Sequence, residues 1–184
     1  MRVCIINFSG RHNGNCHDIA MVIKKAQLKR NETVTLIELS DMIISPCGSC
    51  DYECFTDKMD CPFIDDGIVK TYSTICSSDI TYYIVPNYCD YPNALFFAFN
   101  ERSQCYFQDE PDLLNKYLST QKKFVVVSNT GKENFSNAFR YHVGESDEVF
   151  ILFLSTKDFH KVSIEGGLME CGKAKQTVID FIFK

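Results

Sequence analysis

Short apolar runs alternate along the chain with longer segments whose apolar residues recur every three to four positions. Val3 to Asn7 is a continuous apolar run closed by a polar residue and predicts a buried strand. Ile19, Val22, Ile23 and Ala26 lie at helical spacing and predict a helix over residues 16–30. Thr33 to Leu39 is β-branched and apolar, the signature of a second strand. Residues 41–64 follow neither period and predict a long loop. Ile68, Tyr72, Ile75 and Cys76 form the apolar face of a helix over 66–77, whose acidic first turn suits the helix dipole. Ile80 to Val85 predicts a third strand stopped by Pro86. Pro92 suits the first turn of a helix running to Arg102. A short helix is expected over 111–120, starting at Pro111, and a strand over Phe124 to Ser128. Phe135, Ala138, Phe139 and His142 make another helical stripe, Val149 to Leu154 a fifth strand, and residues 171–183 a last helix.

Strands apolar on both faces and separated by helices belong to a parallel sheet covered on both sides. Five of them with right-handed crossovers predict a three-layer, doubly wound α/β domain spanning 1–184, with residues 41–64 as an insertion. The strand order 2-1-3-4-5 is the natural candidate, and it places a ligand at the carboxyl ends of the strands. The chain has 184 residues and a net charge of −5 without a basic block, which argues against nucleic acid and an anionic membrane as partners. No apolar run approaches the ~20 residues of a membrane helix. A strand follows the first residue at once, so a signal peptide is not expected and a cytoplasmic protein is.

Three loops at the carboxyl edge carry the candidate chemistry. The first, Asn7-Phe8-Ser9-Gly10-Arg11-His12-Asn13-Gly14-Asn15-Cys16, joins the first strand to the first helix. Small, amide-rich residues there aim backbone N–H groups at an anion on the helix N-terminus. The spacing is that of neither the P-loop nor the dinucleotide motif. It suits one phosphate, and it equally suits a plain junction with Asn15 capping the helix. The second loop, Pro86 to Asn93, offers stiff backbone, aromatic rings and amides for the edge of a planar ring. The third, Ser128-Asn129-Thr130-Gly131-Lys132, lets a flat ring approach the backbone. Together they describe a pocket for a mononucleotide with a planar base.

Ten cysteines are many for such a protein. Cys4, Cys16, Cys76, Cys89, Cys105 and Cys171 fall on predicted strands, helices or their ends, where most read as small buried apolar residues. Cys47, Cys50, Cys54 and Cys61 have the spacing C-x2-C-x3-C-x6-C inside the long loop. Clustered cysteines without a secretory signal point to metal or redox chemistry rather than disulfides. A 4Fe–4S cluster, a zinc ion disfavoured by the spacing, and unliganded reduced thiols all stay open.

The sequence resembles the flavodoxin-like NAD(P)H-dependent FMN reductases, and within them the branch that includes the iron–sulfur flavoproteins. The resemblance rests on Asn7–Arg11 through Asn15-Cys16, on Ile44–Cys47 through Cys61–Gly67, and on Val85–Tyr88 through Pro92, Phe99 and Glu101-Arg102. It implies FMN as cofactor and NAD(P)H as co-substrate. Ser9, Arg11, Asn15, Cys16 and His17 would hold the FMN phosphate, with the Cys16 thiol a poorer donor than the hydroxyl usual there. Pro86, Asn87, Tyr88 and Cys89 would line the isoalloxazine, and Thr130 and Gly131 would close its far side. Glu101-Arg102 stands where the family has an Asp-Arg pair; a surface ion pair or helix cap explains it as well.

The expected activity is hydride transfer from NAD(P)H to FMN, and onward electron transfer to a quinone, flavin or other small acceptor. The flavin carries that chemistry, so no catalytic acid or base is assigned; His12 and His17 are the histidines near the pocket. An iron–sulfur electron carrier with a ferredoxin-like partner and a non-catalytic flavin-binding redox sensor are the alternatives. Ala94 to Phe99 is apolar around most of its helix, which predicts a homodimer covering the flavin, unless residues 103–120 cover that face within one chain.

Overall fold

The structure is a computed structural model that describes all residues except 49, 58–59, 129–132 and 145–148. Among the described residues there are six strands: β1 (Arg2–Asn7), β2 (Thr33–Glu38), β3 (Ile80–Tyr88), β4 (Tyr91–Pro92), β5 (Gln121–Ser128) and β6 (Ile151–Ser155). Seven α-helices connect and cover them among the described residues: α1 (Asn15–Leu28), α2 (Ile68–Cys76), α3 (Ala94–Glu101), α4 (Ser103–Phe107), α5 (Pro111–Ser119), α6 (Glu133–Arg140) and α7 (Gly172–Ile182). The order β2-β1-β3-β5-β6 is parallel throughout, with β4 attached antiparallel to β3. This is the doubly wound order read from the sequence, with one short extra strand.

Alternation along each strand builds two cores. Cys4, Ile6, Tyr83, Val85, Phe124 and Val126 face one side and pack with Tyr72 and Ile75 of α2, Phe96 and Phe99 of α3, and Phe135 and Phe139 of α6. Val3, Ile5, Tyr82, Ile84, Val125 and Val127 face the other and pack on Ile19 and Ile23 of α1 and Ala174 and Val178 of α7. Each large side chain removed from water contributes roughly 1.5–3 kcal/mol. The first core is strongly aromatic: Phe124 stacks on Phe139 at 4.2 Å between centroids, and Tyr72 on Phe99 at 4.4 Å. His142 is a member of this core. It is fully buried in a 3-10 turn, Nδ1 bonded to the Tyr117 hydroxyl at 2.5 Å, and burial pushes its pKa down to about 3, so the ring is neutral.

Among the boundaries that differ from the sequence reading, three involve proline or buried lysine. Pro86 does not stop β3, which runs on to Tyr88. Ile84 turns its carbonyl to the β1 side, where it accepts the Phe8 N–H at 2.9 Å. By alternation Pro86 faces the same side, but β1 ends at Asn7, opposite Ile84, so the missing proline N–H leaves no partner unsatisfied. Pro92 sits in β4, opposite Asn87, and α3 starts only at Ala94. The strand expected from Phe124 starts at Gln121, because Lys122 and Lys123 are both buried. Lys122 Nζ donates to the carbonyls of Tyr117 and Thr120, and Lys123 Nζ to those of Phe181 and Ile182 at 3.1 and 3.0 Å, closing the carboxyl end of α7.

Burial lowers the Lys122 pKa from 10.5 to about 7. Between those two values the unfolded chain binds a proton that the folded chain does not, so this lysine makes stability rise with pH across that window. The melting temperature of the wild type is therefore expected to gain several degrees on the Lys122→Met variant between pH 7 and pH 10. Parallel melting curves over that range would contradict this.

Candidate functional site

β3 outruns β1 at the carboxyl edge of the sheet, and the step between them is a cleft of about 390 Å³. One wall is the loop from β1 to α1. Its shape is set by its own side chains: Asn7 Oδ1 accepts the Ser9 N–H at 3.0 Å, and Ser9 Oγ accepts the Arg11 N–H at 3.1 Å. Asn93, before α3, donates from Nδ2 to the Phe8 carbonyl at 2.6 Å and fastens the loop from the other side. The loop ends at Gly14, whose φ of 137° is closed to most side chains.

Gly14 is the N-cap of α1, and no side chain caps that helix. The first helical bond runs from the Asp18 N–H to the Gly14 carbonyl. The N–H groups of Asn15, Cys16 and His17 therefore lie at the open end of a 14-residue helix, where the dipole favours an anion. The Cys16 thiol is buried, and burial, reinforced by Glu38, holds its pKa up at about 12; it is a neutral thiol. An anion there meets backbone N–H groups and the Arg11 guanidinium.

The opposite wall is a hairpin, not the open loop expected from residues 86–93. Asn87 pairs with Pro92 and Tyr88 with Tyr91, leaving Cys89 and Asp90 as a two-residue turn. Both have positive φ, 52° and 68°, as a type I′ turn requires. Asn87 Oδ1 braces the turn by accepting the Asp90 N–H at 2.9 Å. Tyr88 and Tyr91 stand about half exposed, at 53% and 52%, and Tyr88 lines the cleft.

Of the residues singled out in the sequence, Ser9, Arg11, Asn15, Cys16, Pro86, Asn87, Tyr88 and Cys89 are brought together around this one cleft. His17 is not in its lining. The His17 Nδ1 lies 2.9 Å from Glu38 Oε1, and Asn7 Nδ2 donates to Glu38 Oε2 at 2.5 Å, so the end of β2 holds the imidazole. His12 sits outside the lining too, beside Ser40 and Asp41. Thr130 and Gly131 lie outside the described residues.

The sequence reading missed Ser163 and Ile164, which complete the cleft from the segment after β6. Asn15 clamps that segment: Nδ2 donates to the Ser163 carbonyl at 3.2 Å, and Oδ1 accepts the Leu168 N–H at 3.0 Å. Arg11 Nη2 reaches across to the Ile164 carbonyl at 3.0 Å. The one local signal was Gly166-Gly167, both with positive φ, which marks a tight turn.

Arg102 is the C-cap residue of α3, as one sequence alternative had it, and it is not a surface ion pair. Its side chain is 1% exposed, pairs with Asp66, and donates to the carbonyls of Ser45 at 3.2 Å and Phe63 at 2.8 Å. It anchors the cysteine loop to the end of α3. Within that loop Cys54 and Cys61 are buried, while Cys47 and Cys50 are partly exposed. Among the described residues no group of three or more His, Cys, Asp or Glu side chains is placed so that it could hold a metal ion.

Phe96 and Phe99 of α3 are buried within the chain, Phe96 against Phe8, Phe139 and His142 and Phe99 against Phe8, Tyr72 and Tyr83, while Phe97 stays exposed at 39%. Among the described residues no helix is long and apolar enough to cross a membrane.

No protein-family model matches the sequence, and no curated relative does. Solved structures match over nearly the whole chain. The apo form of an NADH:FMN oxidoreductase is 13% identical with a TM-score of 0.60, over 99% of this chain and 88% of that one. An NAD(P)H:quinone oxidoreductase from Methanothermobacter marburgensis is 12% identical with a TM-score of 0.61, over 100% and 96%. RosB with bound 8-demethyl-8-formylriboflavin-5'-phosphate is 12% identical with a TM-score of 0.70, over 100% and 77%. At these identities the likeness is one of fold, the flavodoxin-like fold.

Proposed function

We propose that this chain is an FMN-dependent oxidoreductase that takes hydride from NAD(P)H and reduces a quinone, flavin or other small acceptor. The observation that carries the reading is the uncapped N-terminus of α1, opening into a cleft whose facing wall is an aromatic hairpin. The residues fit the group. The N–H groups of Asn15, Cys16 and His17, with Ser9 and Arg11, would take the 5'-phosphate. Pro86, Asn87, Tyr88 and Cys89 would flank the ring system. Fold neighbours named for FMN, quinone and a flavin 5'-phosphate support the choice of ligand.

FMN, when bound, supplies the hydride-accepting ring nitrogen. The protein's part is to bind, orient and cover it. Arg11 would leave the Ile164 carbonyl, or share it, to meet the phosphate. Tyr88 and Tyr91 would shield one ring face from water. A second copy seated over the exposed side chains of Phe97, Tyr88 and Tyr91 would complete that cover, so a homodimer is part of the proposal.

Titration of the metal-free, FMN-free protein with FMN is expected to quench flavin fluorescence to an end point of about one FMN per chain, since one cleft provides the phosphate site. The loaded protein is then expected to consume NADH or NADPH when a quinone is added. Binding without turnover on any acceptor would leave a flavin-binding module; no binding would end the proposal.

A further inference from the structure

Helices α1 and α7 pack side by side on one face of the sheet and are tied together at both ends. At the amino ends Asn15 Oδ1 accepts the N–H of Leu168, shortly before α7, at 3.0 Å. At the carboxyl ends Gln27 Nε2 donates to the Tyr82 hydroxyl at 2.9 Å, and that hydroxyl lies 3.5 Å from the Ile182 carbonyl. Between these ties the helices turn Ile19, Ile23, Ala174 and Val178 to the sheet and leave an outer groove of about 810 Å³. That volume is within the range of small-molecule sites. The groove shares no lining residue with the cleft.

Its floor is Met21, Val22 and Ala26 of α1, Ile179 of α7, and Met169, all half-buried. Phe183 closes the carboxyl end, with the Arg30 guanidinium 5.2 Å from its ring centroid. Asp18, Met21, Val22, Lys25, Ala26 and Lys29 follow the spacing of one helix face, so the groove runs along α1 for about 17 Å. Every uncharged side chain in the lining is apolar, which gives a polar metabolite no side chain to bond on the floor. The rim is charged, and unevenly. Lys25, Lys29 and Arg30 crowd the carboxyl end of α1, and Lys175 stands on α7. The helix dipole places about half a negative charge at that end, so the cations there leave a surplus. Among the described residues Lys25, Lys29 and Lys175 enter no ion pair, while Glu170 on the rim is paired with Lys161 at 3.6 Å. This surplus stands out on a chain whose net charge is −5.

We propose that the groove binds a single-chain amphipathic anion, a fatty carboxylate. Its head group rests on Lys25, Lys29 and Arg30, and its chain runs over Val22, Met21 and Ile179 toward Met169. The two methionines suit such a ligand, because their unbranched side chains adapt to a flexible tail. A second copy of this chain fits less well. A two-fold axis on the groove would set the cations of one copy against the same cations of the other. The site goes beyond the flavin reading and does not depend on what fills the cleft.

The full chain is titrated by calorimetry with sodium octanoate, decanoate and dodecanoate below their micelle concentrations, and methionine-methyl NMR follows the same titrations. About one dodecanoate per chain is expected, with affinity rising about two- to fourfold per added methylene. The methyl signals of Met21 and Met169 are expected to move, and that of Met42, which packs on the opposite core, to stay. Decyltrimethylammonium is expected to bind at least about tenfold more weakly than decanoate. Lys25→Glu combined with Lys29→Glu changes two exposed side chains. It is expected to weaken dodecanoate roughly tenfold or more while keeping the wild-type melting temperature and FMN affinity. No saturable binding, no dependence on chain length, unmoved Met21 and Met169 signals, or equal affinity in the double variant would each overturn the proposal. So would flotation of the wild type with anionic vesicles free of fatty acid, which would make the groove a membrane contact. A wild-type dimer that the double variant lacks would make it a protein interface and overturn the proposal too.

Discussion

Arg11→Glu is expected to weaken FMN binding by roughly a hundredfold or more while leaving the melting temperature nearly unchanged. A hydrogen bond to a charged group is worth about 1.5–3 kcal/mol, or roughly ten- to a hundredfold in affinity. The new carboxylate adds repulsion against the phosphate. Arg11 is exposed, and among the described residues its guanidinium makes one hydrogen bond, to the Ile164 carbonyl, so little of the fold depends on it. Fluorescence titration reads the affinity, and a thermal melt of the same sample shows that the fold is intact. His17→Ala is the contrasting variant. Its imidazole is engaged by Glu38, and its part in the cleft is its N–H, which alanine keeps. A less than about threefold change is expected there. Equal affinity of Arg11→Glu and wild type would remove the phosphate from the start of α1.

The sequence made the sheet legible because buried parallel strands are long apolar runs, and Val3–Asn7 and Phe124–Ser128 have little else they can be. It misplaced boundaries where one residue breaks a local rule that the tertiary surroundings excuse. Pro86 is tolerated because β1 has already ended on its side. Lys122 and Lys123 are tolerated because carbonyls at the ends of α5 and α7 accept hydrogen bonds from their Nζ groups.

Half of the cleft was visible for the same reason that the strand ends were: a strand followed by Ser9, Arg11, Gly14 and Asn15 has a recognisable composition. Ser163 and Ile164 were not visible, since the Asn15 and Arg11 side chains that hold their segment lie about 150 positions away in sequence. Cys105 was hidden likewise. It reads as one more small apolar residue on a helix, and only the docking of the loop on α4 brings it to Cys54 and Cys61. The hairpin turn at Cys89-Asp90 escaped because neither residue is the Asn or Gly that such turns favour.

Arg102→Met is expected to be the single change that most destabilises the cysteine loop. The guanidinium is buried, and its removal leaves the Asp66 carboxylate without its cation and the Ser45 and Phe63 carbonyls without their donors. Taking one partner from a buried ion pair costs about 3–5 kcal/mol. For a chain of this length that is a fall of roughly 10 °C in melting temperature, if the whole fold melts as one unit. Because the loop packs on the sheet through few residues, opening of residues 42–67 by itself is the competing outcome, and hydrogen exchange separates the two. The variant is expected to lose protection first in that segment, before β1 or β5. Adding Asp66→Asn to Arg102→Met removes the stranded charge, so the double variant is expected to be more stable than Arg102→Met alone. If Arg102→Met keeps both the melting temperature and the loop protection of the wild type, the anchor assigned to this residue is wrong.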